Sequence, residues 1–264
     1  MGLFKKQQTE PTFDLDTEIK SAIQKIENTF ETYYDENKII NLTEQQFTFC
    51  LGALASTRVV PGIDQHMGFD HLVEIEDPGK REMIAFHIQK MYGANSVNSL
   101  LEAGNRMFTS GVDYDLFYGL WNHERDFDKN KLTEQAKQTF IQCKDFARHF
   151  YPYLKDQGMS AWDTNERIGM LRNAHAARII TDEQFITFTS ELVEKTLQTY
   201  HNWKEYAVAC LCGATYFMFK QSNCNTDEAI QFLHLNTNII LHLIQEDRVW
   251  LDASWGYIKT PNQA

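Results

Sequence analysis

Residues 181–188 read Thr181-Asp182-Glu183-Gln184-Phe185-Ile186-Thr187-Phe188, and residues 200–206 read Tyr200-His201-Asn202-Trp203-Lys204-Glu205-Tyr206. Thr181 with Gln184 three positions on is a capping box, in which each side chain satisfies a backbone N–H at a helix start. Behind it Phe185, Phe188, Leu192, Val193, Leu197 and Tyr200 recur at three- and four-residue spacing, the apolar stripe of an amphipathic helix. Asn202 with Glu205 repeats the cap and predicts a helix to about Lys220. A third stripe follows in Ile230, Leu233, Thr237, Ile240, Leu241 and Ile244. Loops this short predict that the three helices pack as antiparallel neighbours.

Working outward, the same periodicity predicts helices over about 161–178, 131–150, 113–122, 96–109 and 80–92. Tyr151-Pro152-Tyr153 is read as the end of the 131–150 helix. Thr43 with Gln46 caps a helix to about Arg58, and Leu15, Ile19, Ile23, Ile26, Phe30 and Tyr33 form the first stripe. Residues 59–79 are irregular, broken by Pro61-Gly62, Gly68 and Asp77-Pro78-Gly79. Within them Leu72-Val73-Glu74-Ile75 has strand character, but a single strand makes no sheet. Residues 1–13 are polar and read as a flexible tail. No fixed-period repeat occurs, so a solenoid is not indicated. The expectation is an all-α, single-domain, multi-helix bundle over 14–264, with one irregular segment near 59–79.

The formal net charge is −11, with 43% hydrophobic residues, five prolines and 13 glycines. The longest basic cluster is Lys5-Lys6, so no stripe exists to displace counterions from a phosphate backbone, and no nucleic-acid partner is expected. The acidity serves solubility or attracts a basic protein. The longest apolar run, Tyr206 to Phe219, falls short of the ~20 residues that span a bilayer, so no membrane association is expected. Gly2 invites myristoylation, but Lys6 stands where that motif needs Ser or Thr. Cys50, Cys143, Cys210, Cys212 and Cys224 are odd in number and lie in helical patterns. With no leader segment evident, they read as reduced thiols of a cytoplasmic protein. Cys210 and Cys212 sit about 200° apart on a helix and cannot share a metal ion.

No phosphate-cradling glycine loop, nucleophile elbow, zinc-protease helix or calcium loop is present, so no catalytic residue and no cofactor are assigned. His66 and His71 with Asp64, Asp70 and Glu74 form the densest set of possible ligands. Their spacing fits no metal pattern, and no metal is expected. The helix from 161 carries Trp162, Asp163, Glu166, Arg167, Arg172, His175 and Arg178. Asp163 and Arg167, four apart, read first as a solvated ion pair. The functional reading brings Asp163, Arg172 and His175 to one pocket for acid–base work, although the helix wheel sets Asp163 and Arg172 about 180° apart. Glu205 reads as the third residue of a capped helix reaching back to Asn202. Trp250 and Trp255 read as pins holding the C-terminal segment to the core.

Several fragments recur in order: Leu51-Gly52-Ala53-Leu54, Tyr92-Gly93-Ala94, Leu100-Leu101, Ala161-Trp162-Asp163, Leu171-Arg172 and Thr181-Asp182-Glu183. They continue through Asn202-Trp203-Lys204-Glu205-Tyr206 and Leu211-Cys212-Gly213 to Trp250 and Trp255. On these the chain resembles the bacterial domain-of-unknown-function family numbered 1266, over about 47–255. It departs from that pattern at Glu166, Arg178-Ile179, Ala214 and Gly111-Val112-Asp113, where the family carries Arg, Gly-Tyr, Arg and Gly-His-Arg. The resemblance supports the fold; the family has no activity to carry over. Two functions are expected from different classes. One is a non-catalytic protein-binding module, for example an immunity protein or adaptor masking a basic partner. The alternative is an enzyme or small-ligand binder with a pocket near Trp162, Asp163, Arg172 and Trp203, and Glu205 joins these four as a candidate binding residue.

Overall fold

In chain order a computed structural model describes residues 14–63, 67–108 and 133–258. The expected tail at 1–13, the pair Asp64 and His66, and the expected 113–122 helix lie outside them. Helices are α1 Leu15–Tyr33, α2 Glu44–Leu51, α3 Ala53–Ser56, α4 Pro78–Tyr92, α5 Val97–Phe108 and α6 Glu134–Arg148. They continue as α7 Tyr151–Leu154, α8 Ser160–Ala176, α9 Asp182–Thr199, α10 Trp203–Gln221 and α11 Thr226–Gln245. Among the described residues the fold is all-α apart from two short strands, β1 Ile40–Leu42 and β2 Ala253–Tyr257.

The architecture turns on α8. Every residue from Ile168 to Ala176 is buried, because α8 packs against α10, α9, α4, α5 and the α2–α3 pair at once. A helix covered all round needs no amphipathic stripe, and this one has none. Its close crossings rest on missing side chains. A Cβ on Gly169 would stand 2.5 Å from Ala55 Cβ, and one on Gly213 of α10 would stand 2.5 Å from Trp162 Cβ and 3.0 Å from the Met159 carbonyl oxygen. Gly213→Ala is therefore expected to destabilise by about 1–3 kcal/mol, because overpacking outweighs the helix propensity gained. Equilibrium urea unfolding checks this; an unchanged or raised midpoint would contradict the crossing.

The capping boxes at Thr43–Gln46 and Thr181–Gln184 form as the sequence predicts. Other expectations change. The 43–58 helix breaks at Gly52, whose Cβ would meet Ile168 Cγ2 at 2.5 Å. The break frees two carbonyls, and buried side chains from far along the chain take them: Trp250 Nε1 donates to the Cys50 oxygen at 2.8 Å and Tyr206 Oη to the Leu51 oxygen at 2.7 Å. Asn165 Oδ1 accepts the Ala55 N–H at 2.9 Å. Tyr151-Pro152-Tyr153 opens a further helical turn, α7, since proline is suited to a first turn.

Leu72–Ile75 is not a strand; the sheet that exists pairs β1 parallel with β2, Ile40 opposite Ala253 and Leu42 opposite Tyr257. Of the three consecutive helices, α10 and α11 pack as a hairpin with α1 laid across both, but α9 packs on α8 and α2 instead. The reason is Tyr200. It is 1% exposed, and its hydroxyl accepts the Ala161 N–H at 3.1 Å and donates to the Gly158 oxygen at 3.2 Å. The extended residues after α9 are thus tied to the start of α8.

Candidate functional site

Arg172 lies in the interior. Its guanidinium donates to Ser56 Oγ at 2.5 Å and to the carbonyl oxygens of Gly68 and Met67 at 3.0 Å and of His71 at 2.8 Å. It also sits 4.9 Å above the Phe49 ring. Burial lowers its pKa to about 10, against the pull of Asp70 and Cys50. Its Nε is buried without a partner among the described residues. Three of these hydrogen bonds fasten the irregular 67–71 segment to α8, which makes Arg172 the anchor of a loop that has no regular backbone pairing of its own.

Asp163 lies elsewhere on α8 and does not join Arg172. It forms no ion pair with Arg167; the opposite charges it feels are Lys195 and Lys220. Burial, reinforced by Glu166, pushes its carboxyl up to about 7. Glu166 takes a two-pronged ion pair from Arg58, at 2.7 and 2.6 Å, and Arg58 lies 5.0 Å from the Trp162 ring centroid. Trp162 and Asp163 thus share one neighbourhood, completed by an Arg58–Glu166 pair that sequence spacing does not reveal.

Trp203 and Glu205 belong to a third place. Trp203 stacks on Trp250 with centroids 6.2 Å apart, meets Trp255 edge-on at 4.8 Å and donates to the Ala253 oxygen at 2.9 Å. Trp250 and Trp255 pack in the same aromatic group, which attaches β2 to α10 and α2. Glu205 reaches past the Asn202 backbone to the His201 N–H at 2.9 Å and accepts from Gln157 Nε2 at 2.8 Å. Burial opposes its charge, but these donors hold the carboxyl below the usual range. The five candidate binding residues therefore occupy three separate environments.

A fourth environment is one that spacing did not bring together. A cleft of about 420 Å³ is lined by Glu74, Ile75, His175, Arg178, Ile180, Thr181, Asp182 and Glu183. His175 is 8% exposed; its Nε2 meets Asp182 Oδ1 at 2.6 Å, and its Nδ1 is buried with no partner among the described residues. The capping box places the acids: Thr181 closes α9 through Gln184, and its hydroxyl donates to Glu183 Oε2 at 2.7 Å. That bond holds the Glu183 carboxyl below its ordinary range, so it is charged at neutral pH. Arg178, at φ 58°, turns toward Glu76 at 3.4 Å. The result is a pocket with Ile75 and Ile180 as apolar walls and Glu74, Asp182 and Glu183 at its edge. The cap was legible, but its apposition to Glu74, about 100 residues away, comes from tertiary packing alone. A smaller recess of about 240 Å³ between α2 and α9 carries one charged lining residue, Glu44.

Among the described residues, no group of three His, Cys, Asp or Glu is placed to hold a metal ion. No helix among them is long and apolar enough to cross a membrane. No curated protein and no solved structure matches the chain. The family whose description is "Protein of unknown function (DUF1266)" matches residues 88–255, starting beyond the Leu51-Gly52-Ala53-Leu54 fragment and ending at Trp255. The match spans most of the chain, including α8, the α9 cap and the aromatic group around Trp203, and the protein belongs to the DUF1266 family.

Proposed function

We propose that the protein is a non-catalytic binding module for a basic protein segment, and that the cleft between residues 74–75 and 175–183 receives a lysine or arginine side chain of that partner. The observation that carries this reading is the cleft itself. Ile75 and Ile180 offer apolar contact to an aliphatic stem, and three carboxylates, Glu74, Asp182 and Glu183, line the same cleft, outnumbering its one arginine, Arg178, which is paired with Glu76. The overall charge of −11 adds long-range attraction for a basic partner. An immunity protein or adaptor is one role such a module fits.

The test compares the wild-type chain with Glu74→Lys/Glu183→Lys as bait in its native lysate, at low salt and at about 0.5 M, where screening weakens exposed pairs. A basic protein held by wild type at low salt, released by high salt and absent from the charge-reversed bait is the expected result. Equal capture by both baits, or capture of no basic protein, overturns the reading.

A second reading rests on Asp163, whose carboxyl is pushed up to about 7 within the segment that matches the family. A group poised at neutral pH suits acid–base chemistry or recognition of a polar small molecule. Native mass spectrometry of purified wild type and Asp163→Asn tests it. A small molecule retained by wild type and lost from the variant supports it; an empty wild-type protein removes its basis.

A further inference from the structure

We propose that the binding surface continues from the cleft into the recess between α2 and α9, so that the partner segment is extended and carries an apolar side chain two residues from its lysine or arginine. This rests on the cleft as the seat of that cation and adds a second seat at a fixed spacing. The two cavities share one helix. Thr181 at the cap of α9 and Asp182 and Glu183 in its first turn line the cleft, while Phe185, Ile186 and Thr189 line the recess. Helical residues three, four and seven apart fall on one face. Asp182, Phe185, Ile186 and Thr189 have that spacing, so one ridge of α9 runs from the acidic cleft into the recess, with Asp182 and Ile186 about one turn apart.

The recess suits an apolar group. Phe185 is fully buried behind it, and Ile186 and Ile258 line it while 41% and 59% exposed. Thr48 and Thr189 are buried there too, and their hydroxyls donate to the carbonyl oxygens of Glu44 and Phe185 at 2.9 Å, four residues back in each helix. Neither hydroxyl proton is therefore left to recognise a polar ligand. Single exposed apolar side chains scattered over a surface are ordinary, but here two isoleucines from distant segments meet at one hollow.

Charge selects the occupant. Glu44 is the charged residue lining the recess, and Glu74, Asp182 and Glu183 line the cleft against one arginine, Arg178, which pairs with Glu76. A basic segment is attracted along this whole face, and an acidic one is repelled. The spacing follows from geometry. At 1.5 Å per residue the ridge from Asp182 and Glu183 to Ile186 and Thr189 covers about 5–10 Å. An extended chain returns to the same side every second residue, about 6.6 Å on. Lys-x-Leu or Arg-x-Leu thus seats both side chains, whereas adjacent residues point to opposite sides.

Amide chemical-shift titration of the full chain tests this with three acetylated, amidated peptides, Gly-Lys-Ala-Leu-Gly, Gly-Lys-Ala-Ala-Gly and Gly-Lys-Leu-Ala-Gly, each raised to about 10 mM to reach weak affinities. The first is expected to bind roughly 5–20-fold more tightly than the other two, because only its leucine leaves water, and to shift amides at 185–189 as well as at 181–183. Ile186→Ser should remove the difference between the first peptide and the second, and Glu74→Lys/Glu183→Lys should weaken all three. Equal binding of the three peptides with shifts confined to the cleft overturns the second seat and leaves the cleft reading standing. An equal or greater preference for Gly-Lys-Leu-Ala-Gly overturns the spacing. Binding of none of them overturns both.

Discussion

Arg172→Ala is expected to destabilise the protein by about 3–5 kcal/mol, because it leaves the carbonyls of Met67, Gly68 and His71 and the Ser56 hydroxyl without their donor at a site where the bonds to Ser56 and Met67 are buried and those to Gly68 and His71 partly buried. Among the described residues the buried guanidinium has no carboxylate within ion-pair distance, and its contacts there are hydrogen bonds to oxygen dipoles and stacking on Phe49. Arg172→Met keeps most of the volume and the contact with Phe49 but supplies no donor. It should recover only a minor share of the loss. Arg172→Lys supplies one compact donor set in place of a planar fork and should fall between. Urea unfolding of the three variants measures the series, and proteolysis reads the loop directly, with cleavage between 64 and 77 accelerated before global unfolding. A loss under about 1 kcal/mol for Arg172→Ala would mean that the loop does not depend on this anchor.

Asp163→Asn is expected to do the opposite, and only in one pH range. The unfolded carboxyl ionises near the ordinary 3.8, the folded one near 7. Folding therefore takes up a proton between those values, and the penalty grows as pH rises through that window, reaching its full size above about 7. At pH 8 the amide removes a buried charge, and the variant should be more stable by about 2–4 kcal/mol, the upper end being the full shift and the lower allowing for partial solvation of the side chain. Near pH 4.5 the native carboxyl is already protonated, so most of the difference should vanish. Thermal melts of both proteins across that range check the result. A stability gain equal at both ends would mean that packing, and not charge, sets it.

These two residues show why the sequence was informative in some places and silent in others. The caps at Thr43, Thr181 and Asn202 are contacts between residues three apart, so composition and spacing suffice to read them. The ends of α1, α9 and α11 follow from stripes that face one core. α8 is different: with neighbours on every side it has no polar face, and Arg172 looks like a surface residue on a wheel although its partners lie 101–116 positions away. The strands escaped notice because three and five residues are too few for alternation to register. The 175–183 cleft was half visible, since the cap exposes Asp182 and Glu183, but its other wall is fixed by where Arg172 holds the loop before it.

The break at Gly52 has a kinetic consequence. Its two freed carbonyls are met by Tyr206 and Trp250, 155 and 200 positions along the chain, and β1 finds its partner strand only at residues 253–257. The N-terminal elements emerge from the ribosome long before those donors exist. During synthesis the kinked α2–α3 pair can be wet or transiently straight, but it cannot be buried as in the finished fold. Closure thus waits on the last aromatic residues, giving a helical protein the slow, long-range folding step more familiar from sheets.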